Sequence, residues 1–116
     1  MLFRSAMDSL KQTGMPDYYL LDAIYAKYPA ETQALRPPLA MLMDHIEYII
    51  KLVGVDYVGL GSDFDGIHLT PQELDDVTTY PLITKNLVEK GYSQKDIYKI
   101  LGGNLLRVLK ANEVKN

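Results

Sequence analysis

The sequence predicts an α/β fold that is mostly helical, with one β-strand over about residues 55–61. Residues 39–53 carry apolar side chains at steps of one and three, which is the pattern of a helix with a single buried face. The segment that follows, Val-Asp-Tyr-Val-Gly-Leu-Gly, is too short and glycine-rich for another helix, and its β-branched and aromatic residues are typical of a buried strand. An amphipathic helix followed by a short apolar strand indicates the αβ half of a parallel unit.

Residues 1–36 are predicted to be a helical, insertion-like segment. A short helix is expected from Ala6 to Gln12, and a second is expected to start at Asp17 as its N-cap and to run to about Tyr28, before Pro29. Tyrosines are concentrated here, and we interpret them as packing one helix onto a neighbour; a tyrosine-lined substrate surface is the alternative. The Pro37-Pro38 pair then separates this segment from a unit spanning 37–116.

After a polar loop over 62–78, three more helices are predicted. Thr79 can cap a helix that has Pro81 in its first turn and ends near Gly91. A second short helix is predicted from a capping pair, Ser93 and Asp96. Asn104 is expected to cap the last helix and to direct four apolar residues inward: Leu105, Leu106, Val108 and Leu109.

This set of elements holds about six helices and one strand, and one strand cannot form a sheet by itself. The mismatch indicates either that the chain is part of something larger or that the strand pairs with another copy. The length of 116 residues suits one domain, and 47% hydrophobic with 23% charged residues is an ordinary globular balance.

Composition excludes several classes of function. The net charge is −3 and no basic run occurs, so nucleic acid is not expected as a partner. The chain has no cysteine, which excludes disulfides and thiolate metal sites but leaves the compartment open. We expect no signal peptide in this sequence, and no stretch approaches the roughly 20 apolar residues of a membrane span.

The loop after the predicted strand is the main candidate for chemistry. Asp63 directly follows that strand, and the carboxyl end of a parallel strand is where active sites of α/β proteins collect. The alternative is that Asp63 caps the loop by accepting hydrogen bonds from nearby N–H groups. For Asp65, which Gly66 follows, the turn role is favoured.

Two metal-binding alternatives are weaker. The segment from Asp63 to Glu73 resembles half of a calcium-binding EF-hand loop, but Gly61 stands at the first ligand position and the glycine-to-glutamate spacing is one residue too long. His45 and His68 belong to no metal-ligand pattern. A packing or capping role is expected for His45 and solvent exposure for His68.

From residue 39 onward the sequence resembles the C-terminal end of the membrane (renal) dipeptidase family, a branch of the amidohydrolase superfamily. The matching pieces begin with Asp-His-Ile-Glu-Tyr-Ile at 44–49 and continue with the Val-Gly-Val-Asp-Tyr-Val-Gly-Leu-Gly-Ser-Asp-Phe-Asp-Gly run at 53–66. Leu-Asp-Asp-Val at 74–77, Tyr-Pro at 80–81, Gly-Tyr-Ser at 91–93 and Ile-Leu-Gly-Gly-Asn-Leu-Leu-Arg-Val at 100–108 follow in order. Tyr48 stands where many relatives carry a histidine.

The resemblance implies a (β/α)8 TIM-like barrel that hydrolyses dipeptides with two zinc ions, and it makes this chain the last αβ unit plus the C-terminal helices. The family's metal ligands match no position here, so zinc is implied only for the whole enzyme. The resemblance assigns Asp63 a place facing the metal-bound water and the amino end of the substrate, as both catalytic and substrate-binding residue. The family's substrate-carboxylate arginine is expected upstream, because neither Arg4 nor Arg36 matches it.

Two functions follow as expectations. The first is a zinc metallodipeptidase as the parent activity, a hydrolase acting in proteolysis, with the 116-residue chain inactive alone. The second is a non-catalytic fragment that forms a homo-oligomer through exposed barrel-facing surfaces.

Overall fold

The computed structural model describes residues 2–113, and every regular element in that range is helical. The α-helices, in chain order, are α1 (Leu2–Lys11), α2 (Asp17–Lys27), α3 (Pro29–Leu35), α4 (Leu39–Val53), α5 (Pro81–Glu89), α6 (Gln94–Tyr98) and α7 (Asn104–Ala111). Two 3-10 turns occupy Val55–Tyr57 and Val77–Thr79, and a wider π-helical turn over Lys99–Gly103 joins α6 to α7.

The prediction of a strand over 55–61 is wrong, and so is the α/β class that rested on it. Gly54, at a φ of 88°, ends α4, and Val55–Tyr57 then form a 3-10 turn. Val58, the residue after this turn, is extended, with φ −112° and ψ 136°. An extended segment becomes a strand when a neighbour bonds its N–H and C=O groups, and residues 2–113 include no such neighbour. The barrel that the resemblance implied is therefore not present in this part of the chain.

Helix α4 forms as its periodicity predicts and supplies one side of the main core. Leu39, Met43 and Ile46 are buried on its inner face. The core is completed by buried residues of the loop, of α5, of α6 and of the π-helical turn: Leu74, Ile83, Leu87, Ile97 and Ile100. The far end of the predicted stripe is less covered, since Ile49 and Val53 are each 45% exposed.

The caps of the C-terminal helices follow the sequence signals in part. Ser93 caps α6 as predicted, because its hydroxyl accepts a hydrogen bond from the Asp96 amide at 3.1 Å. Gly91 follows α5 at a φ of 86°. Thr79, however, makes no side-chain cap for α5; the preceding 3-10 turn is capped instead by Asp76, which accepts from the Thr78 amide at 2.8 Å.

Two predictions for the last helix are wrong. Asn104 does not cap α7, because its amide group turns toward residues 55–58, with which it forms hydrogen bonds. The four apolar residues expected to pack inward lie on the surface, with exposures of 61%, 51%, 47% and 58% for Leu105, Leu106, Val108 and Leu109. Within residues 2–113, the apolar face of α7 is therefore uncovered.

The chain is open rather than compact. Its radius of gyration is 18.8 Å, whereas a compact domain of this length has about 13 Å. Helices α1–α3 pack through edge-on aromatic contacts of Phe3 with Tyr25 and Tyr28, which bear out the packing interpretation of those two tyrosines. Tyr18 and Tyr19 are 69% and 54% exposed. Among residues 2–113, none of the helices combines the length and apolar character needed to cross a bilayer.

Candidate functional site

Asp63 lies on an exposed turn between the extended segment after Val58 and the loop that leads to α5. Its backbone carbonyl accepts hydrogen bonds from the amides of Gly66 at 2.9 Å and Ile67 at 3.1 Å, which closes a tight turn over 63–67. Asp63 itself has a φ of 52°, in the left-handed region that few residues other than glycine adopt. Such a conformation costs free energy, and in proteins it is concentrated in turns and functional sites.

The side chain of Asp63 folds back over this turn onto Gly66. A Cβ atom placed on Gly66 would lie 2.4 Å from Oδ1 and 2.6 Å from Oδ2 of Asp63. The carboxylate therefore occupies the space that a side chain at position 66 would fill. Asp65, between them, is exposed on the same turn, consistent with its predicted turn role.

Three side chains of the α6–α7 region hold the backbone that leads to Asp63. Asn104 is buried and donates through Nδ2 to the carbonyl oxygens of Val55 at 2.7 Å and Val58 at 2.8 Å. Arg107 donates to the Asp56 carbonyl at 2.6 Å, and Lys99 pairs with the Asp56 carboxylate at 2.5 Å. The hydrogen bond from Lys99 is the main cause that holds the pKa of Asp56 below its ordinary value. Sequence reasoning missed these contacts; the one available signal was a polar Asn104 inside an otherwise apolar stretch.

The far side of the loop is held by Arg36, at the end of α3. Its guanidinium donates to the carbonyl oxygens of Thr70 at 2.9 Å and Pro71 at 2.7 Å, and it pairs with the Asp75 carboxylate at 2.6 Å. Gln72 in turn donates to the Arg36 carbonyl at 2.9 Å. Arg36 is thus engaged in holding the loop.

A cleft of about 280 Å³ lies between α4 and this loop. Its walls are mostly apolar, and Ser62 and Phe64, the neighbours of Asp63, line it together with Leu42 of α4. Phe64 also packs edge-on against Tyr80 with ring centroids 5.7 Å apart. Asp63 is not among the lining residues, so the turn carries its carboxylate outside the cleft while its neighbours fix the turn to the core.

The histidines lie apart from Asp63 and from each other. His68 is exposed as predicted, with 37% of its side chain accessible, although its Nδ1 pairs with the Asp22 carboxylate of α2 at 2.7 Å and its ring packs against Tyr25. His45 is exposed on α4 and takes no packing role in the core.

Within residues 2–113, no three histidine, aspartate or glutamate side chains come together in a way that could hold a metal ion. The same range contains no cysteine to add a ligand. The residues present therefore do not fit the two zinc ions that the resemblance implied. The calcium-binding loop considered as an alternative likewise has no cluster of ligands among residues 2–113.

The chain belongs to the membrane dipeptidase family, peptidase family M19, whose sequence profile matches residues 24–116. The match includes the Asp63 turn, all of α3 to α7 and the end of α2. The division predicted between 1–36 and 37–116 stays a prediction, and the family match begins before it.

Individual relatives agree with the family assignment. The chain is 39% identical over 102 residues to a protein named dipeptidase aclJ from Aspergillus oryzae, which is 88% of this chain and 24% of that protein. It is 49% identical over 73 residues to an uncharacterized protein of Klebsiella pneumoniae, covering 63% of this chain and 27% of that protein. Human dipeptidase 3 is 35% identical over 75 residues, which is 65% of this chain and 15% of that protein. The chain thus spans only about a quarter or less of the length of these relatives.

Proposed function

We propose that this chain is the C-terminal portion of a zinc-dependent dipeptidase and that Asp63 is its catalytic residue. The observation that carries the proposal is the family match across the Asp63 turn, joined to the geometry of that turn. Relatives named as dipeptidases support the substrate class, which is a peptide of two residues. The reaction would be hydrolysis, so the enzyme would be a metalloprotease of the hydrolase class.

Asp63 has the properties that a proton carrier needs. Its carboxylate is exposed on a turn whose backbone is fixed by two hydrogen bonds, so it can meet a substrate without opening the core. A carboxylate so placed can accept a proton from the attacking water and deliver it to the leaving amine, and general acid–base catalysis of this kind contributes about 10²–10⁴-fold. The same negative charge suits the ammonium group at the amino end of a dipeptide.

The zinc ions are proposed for the whole enzyme and not for this part of it. Residues 2–113 hold no set of ligands for them, and we do not propose Asp63 as a ligand. The 116-residue chain alone is therefore expected to be inactive.

The test is a chimera in which residues 39–113 of this chain replace the matching segment of the Aspergillus oryzae relative. In that protein Asp63→Asn, which keeps the shape of the side chain but cannot carry the proton, should lower kcat for dipeptides by about 10²-fold or more with bound zinc retained. Asp65→Asn is the matched control on the same turn and should change kcat by less than about threefold. Equal effects of the two substitutions, or an Asp63→Asn chimera that keeps full turnover, would refute the assignment.

A second candidate function is self-association without catalysis, favoured by the uncovered apolar residues. Tyr48 and Leu52 on α4 are 65% and 68% exposed, and Leu105 and Leu109 on α7 are 61% and 58% exposed. Surfaces of this kind associate in water because burying them removes apolar area from solvent. The homo-oligomer predicted above would hide them.

Sedimentation velocity over a hundredfold range of concentration tests this candidate. A self-associating chain should sediment faster as its concentration rises, and Leu52→Glu should abolish that dependence while Lys51→Glu, at the exposed neighbouring position, should not. A single monomeric species across the whole range would rule self-association out.

A further inference from the structure

We infer that Gly66 is a positioning residue: the absence of a side chain there is what allows the Asp63 carboxylate to lie over the turn in its observed orientation. The inference rests on the proposed function of Asp63 and adds a second residue to that site. It is drawn from the closest approach that any described glycine makes to a carboxylate in this chain.

The contact is too short for a methyl group. A Cβ on Gly66 would lie 2.4 Å from Oδ1, 2.6 Å from Oδ2 and 2.7 Å from Cγ of Asp63. Carbon and oxygen atoms that are not bonded stay above about 3 Å, and the optimum between carbons is about 3.5–4.0 Å. All three terminal atoms of the carboxylate would therefore have to move.

The backbone does not offer another way to relieve this clash. The Asp63 carbonyl accepts from both the Gly66 and the Ile67 amides, so the Cα atoms of residues 63 and 66 are held at a fixed separation. The motion that costs least is rotation of the Asp63 side chain about its Cα–Cβ bond, whose staggered rotamers lie about 120° apart. A substituent at 66 would send the carboxylate into a different well, away from its present position.

Glycine is needed at this position for space and not for backbone freedom. The φ of Gly66 lies outside the left-handed region, which among the described glycines is occupied by Gly14, Gly54 and Gly91. An alanine at 66 would therefore adopt the same backbone, and its effect would come from the methyl group alone. Asp63, by contrast, occupies the left-handed region itself. The turn thus brings Asp63, whose backbone is left-handed, into contact with Gly66, which has no side chain.

Gly61 provides a matched control. It lies two residues before Asp63, its φ is also outside the left-handed region, and a Cβ built on it would meet no atom within 4 Å. Gly66→Ala and Gly61→Ala thus add the same methyl group to the chain. They differ because only the methyl group at position 66 would meet the Asp63 carboxylate. Displacement of a catalytic group by about 1 Å can cost about 10²-fold in rate.

The direct readout is the carboxyl ¹³C resonance of Asp63 in the 116-residue chain, measured by NMR at one fixed pH. Gly66→Ala should move that resonance, and Gly61→Ala should leave it unchanged. In the chimera, Gly66→Ala should lower kcat/KM by about 10²-fold, and in an Asp63→Ala background the same substitution should have no further effect. An unchanged Asp63 resonance in the Gly66→Ala chain, or additive losses in the double variant, would overturn the inference.

The outcomes separate this inference from the function on which it rests. If Asp63→Ala keeps full turnover while Gly66→Ala moves the Asp63 resonance, the catalytic role fails and the positioning contact stands. If Asp63→Ala abolishes turnover and Gly66→Ala changes neither resonance nor turnover, the positioning contact fails alone. If Gly66→Ala does not fold, the Asp63→Ala/Gly66→Ala chain decides: recovery of the fold establishes the clash, and continued failure to fold refutes it.

Discussion

Removal of the Asn104 side-chain amide should destabilise the folded chain, because the segment before Asp63 would lose two hydrogen bonds. Its Nδ2 donates to the carbonyl oxygens of Val55 and Val58 at 2.7 and 2.8 Å, and the residue is 7% exposed. A net hydrogen bond contributes about 1 kcal/mol, and a buried acceptor left without a partner costs about 1–3 kcal/mol. The Val55 carbonyl is part-buried and can regain water, whereas the Val58 carbonyl is buried. Asn104→Ala should therefore cost about 2–3 kcal/mol of the free energy of unfolding.

Urea denaturation followed by far-ultraviolet circular dichroism measures this change. The matched control is Asn112→Ala, because the Asn112 Nδ2 also donates to a carbonyl, that of Val108 at 2.8 Å, but on an exposed helix end. The control should change stability by less than about 0.5 kcal/mol. Equal losses in the two variants, or a loss under about 0.5 kcal/mol for Asn104→Ala, would refute the claim that Asn104 fixes the segment before Asp63.

Two further predictions concern charged groups on either side of the core. The hydrogen bond from Lys90 holds the pKa of Glu47 below its ordinary value. The stabilisation that this pair provides is therefore fully present above the unfolded-state pKa of about 4.3, and it is lost as the pH falls through the lower pKa of the folded state. Glu47→Gln should remove that part of the acid sensitivity in unfolding curves measured from pH 7 to 3, and an unchanged pH dependence would contradict the pairing. Arg36→Lys keeps the charge but loses the planar guanidinium that donates to Thr70. It should therefore lower the free energy of unfolding by about 1–3 kcal/mol and speed amide hydrogen exchange over residues 62–76. The exposed Arg4→Lys serves as control, and equal exchange in the two variants would show that Arg36 does not hold the loop.

Sequence reasoning located the helices well where one local rule decides the structure. The apolar period of residues 39–53 and the glycine that follows define α4 with its observed ends, because a helix satisfies its own backbone within the segment. Ser93 caps α6 for the same reason, since its partner is three residues away. These features need no information from distant parts of the chain.

The wrong predictions of a strand and of an inward-facing α7 both involve partners that are remote in the sequence or that residues 2–113 do not include. Residues 55–61 have strand composition, but a strand exists only with a neighbour, and here the side-chain amide of Asn104 donates to the carbonyl oxygens of Val55 and Val58. The apolar residues of α7 have a helical pattern, yet nothing in residues 2–113 covers them. At the candidate site, Asp63 could be singled out from its place in the sequence, but its left-handed backbone and its contact with Gly66 could not.

We propose that residues 2–113 supply a catalytic carboxylate to a zinc dipeptidase but do not supply its metal ligands. The measurement that tests it most directly is the zinc content of the 116-residue chain after dialysis against zinc, determined by elemental analysis alongside a dipeptide hydrolysis assay. The prediction is substoichiometric zinc and no turnover. Two tightly held zinc ions per chain together with dipeptide hydrolysis would contradict it.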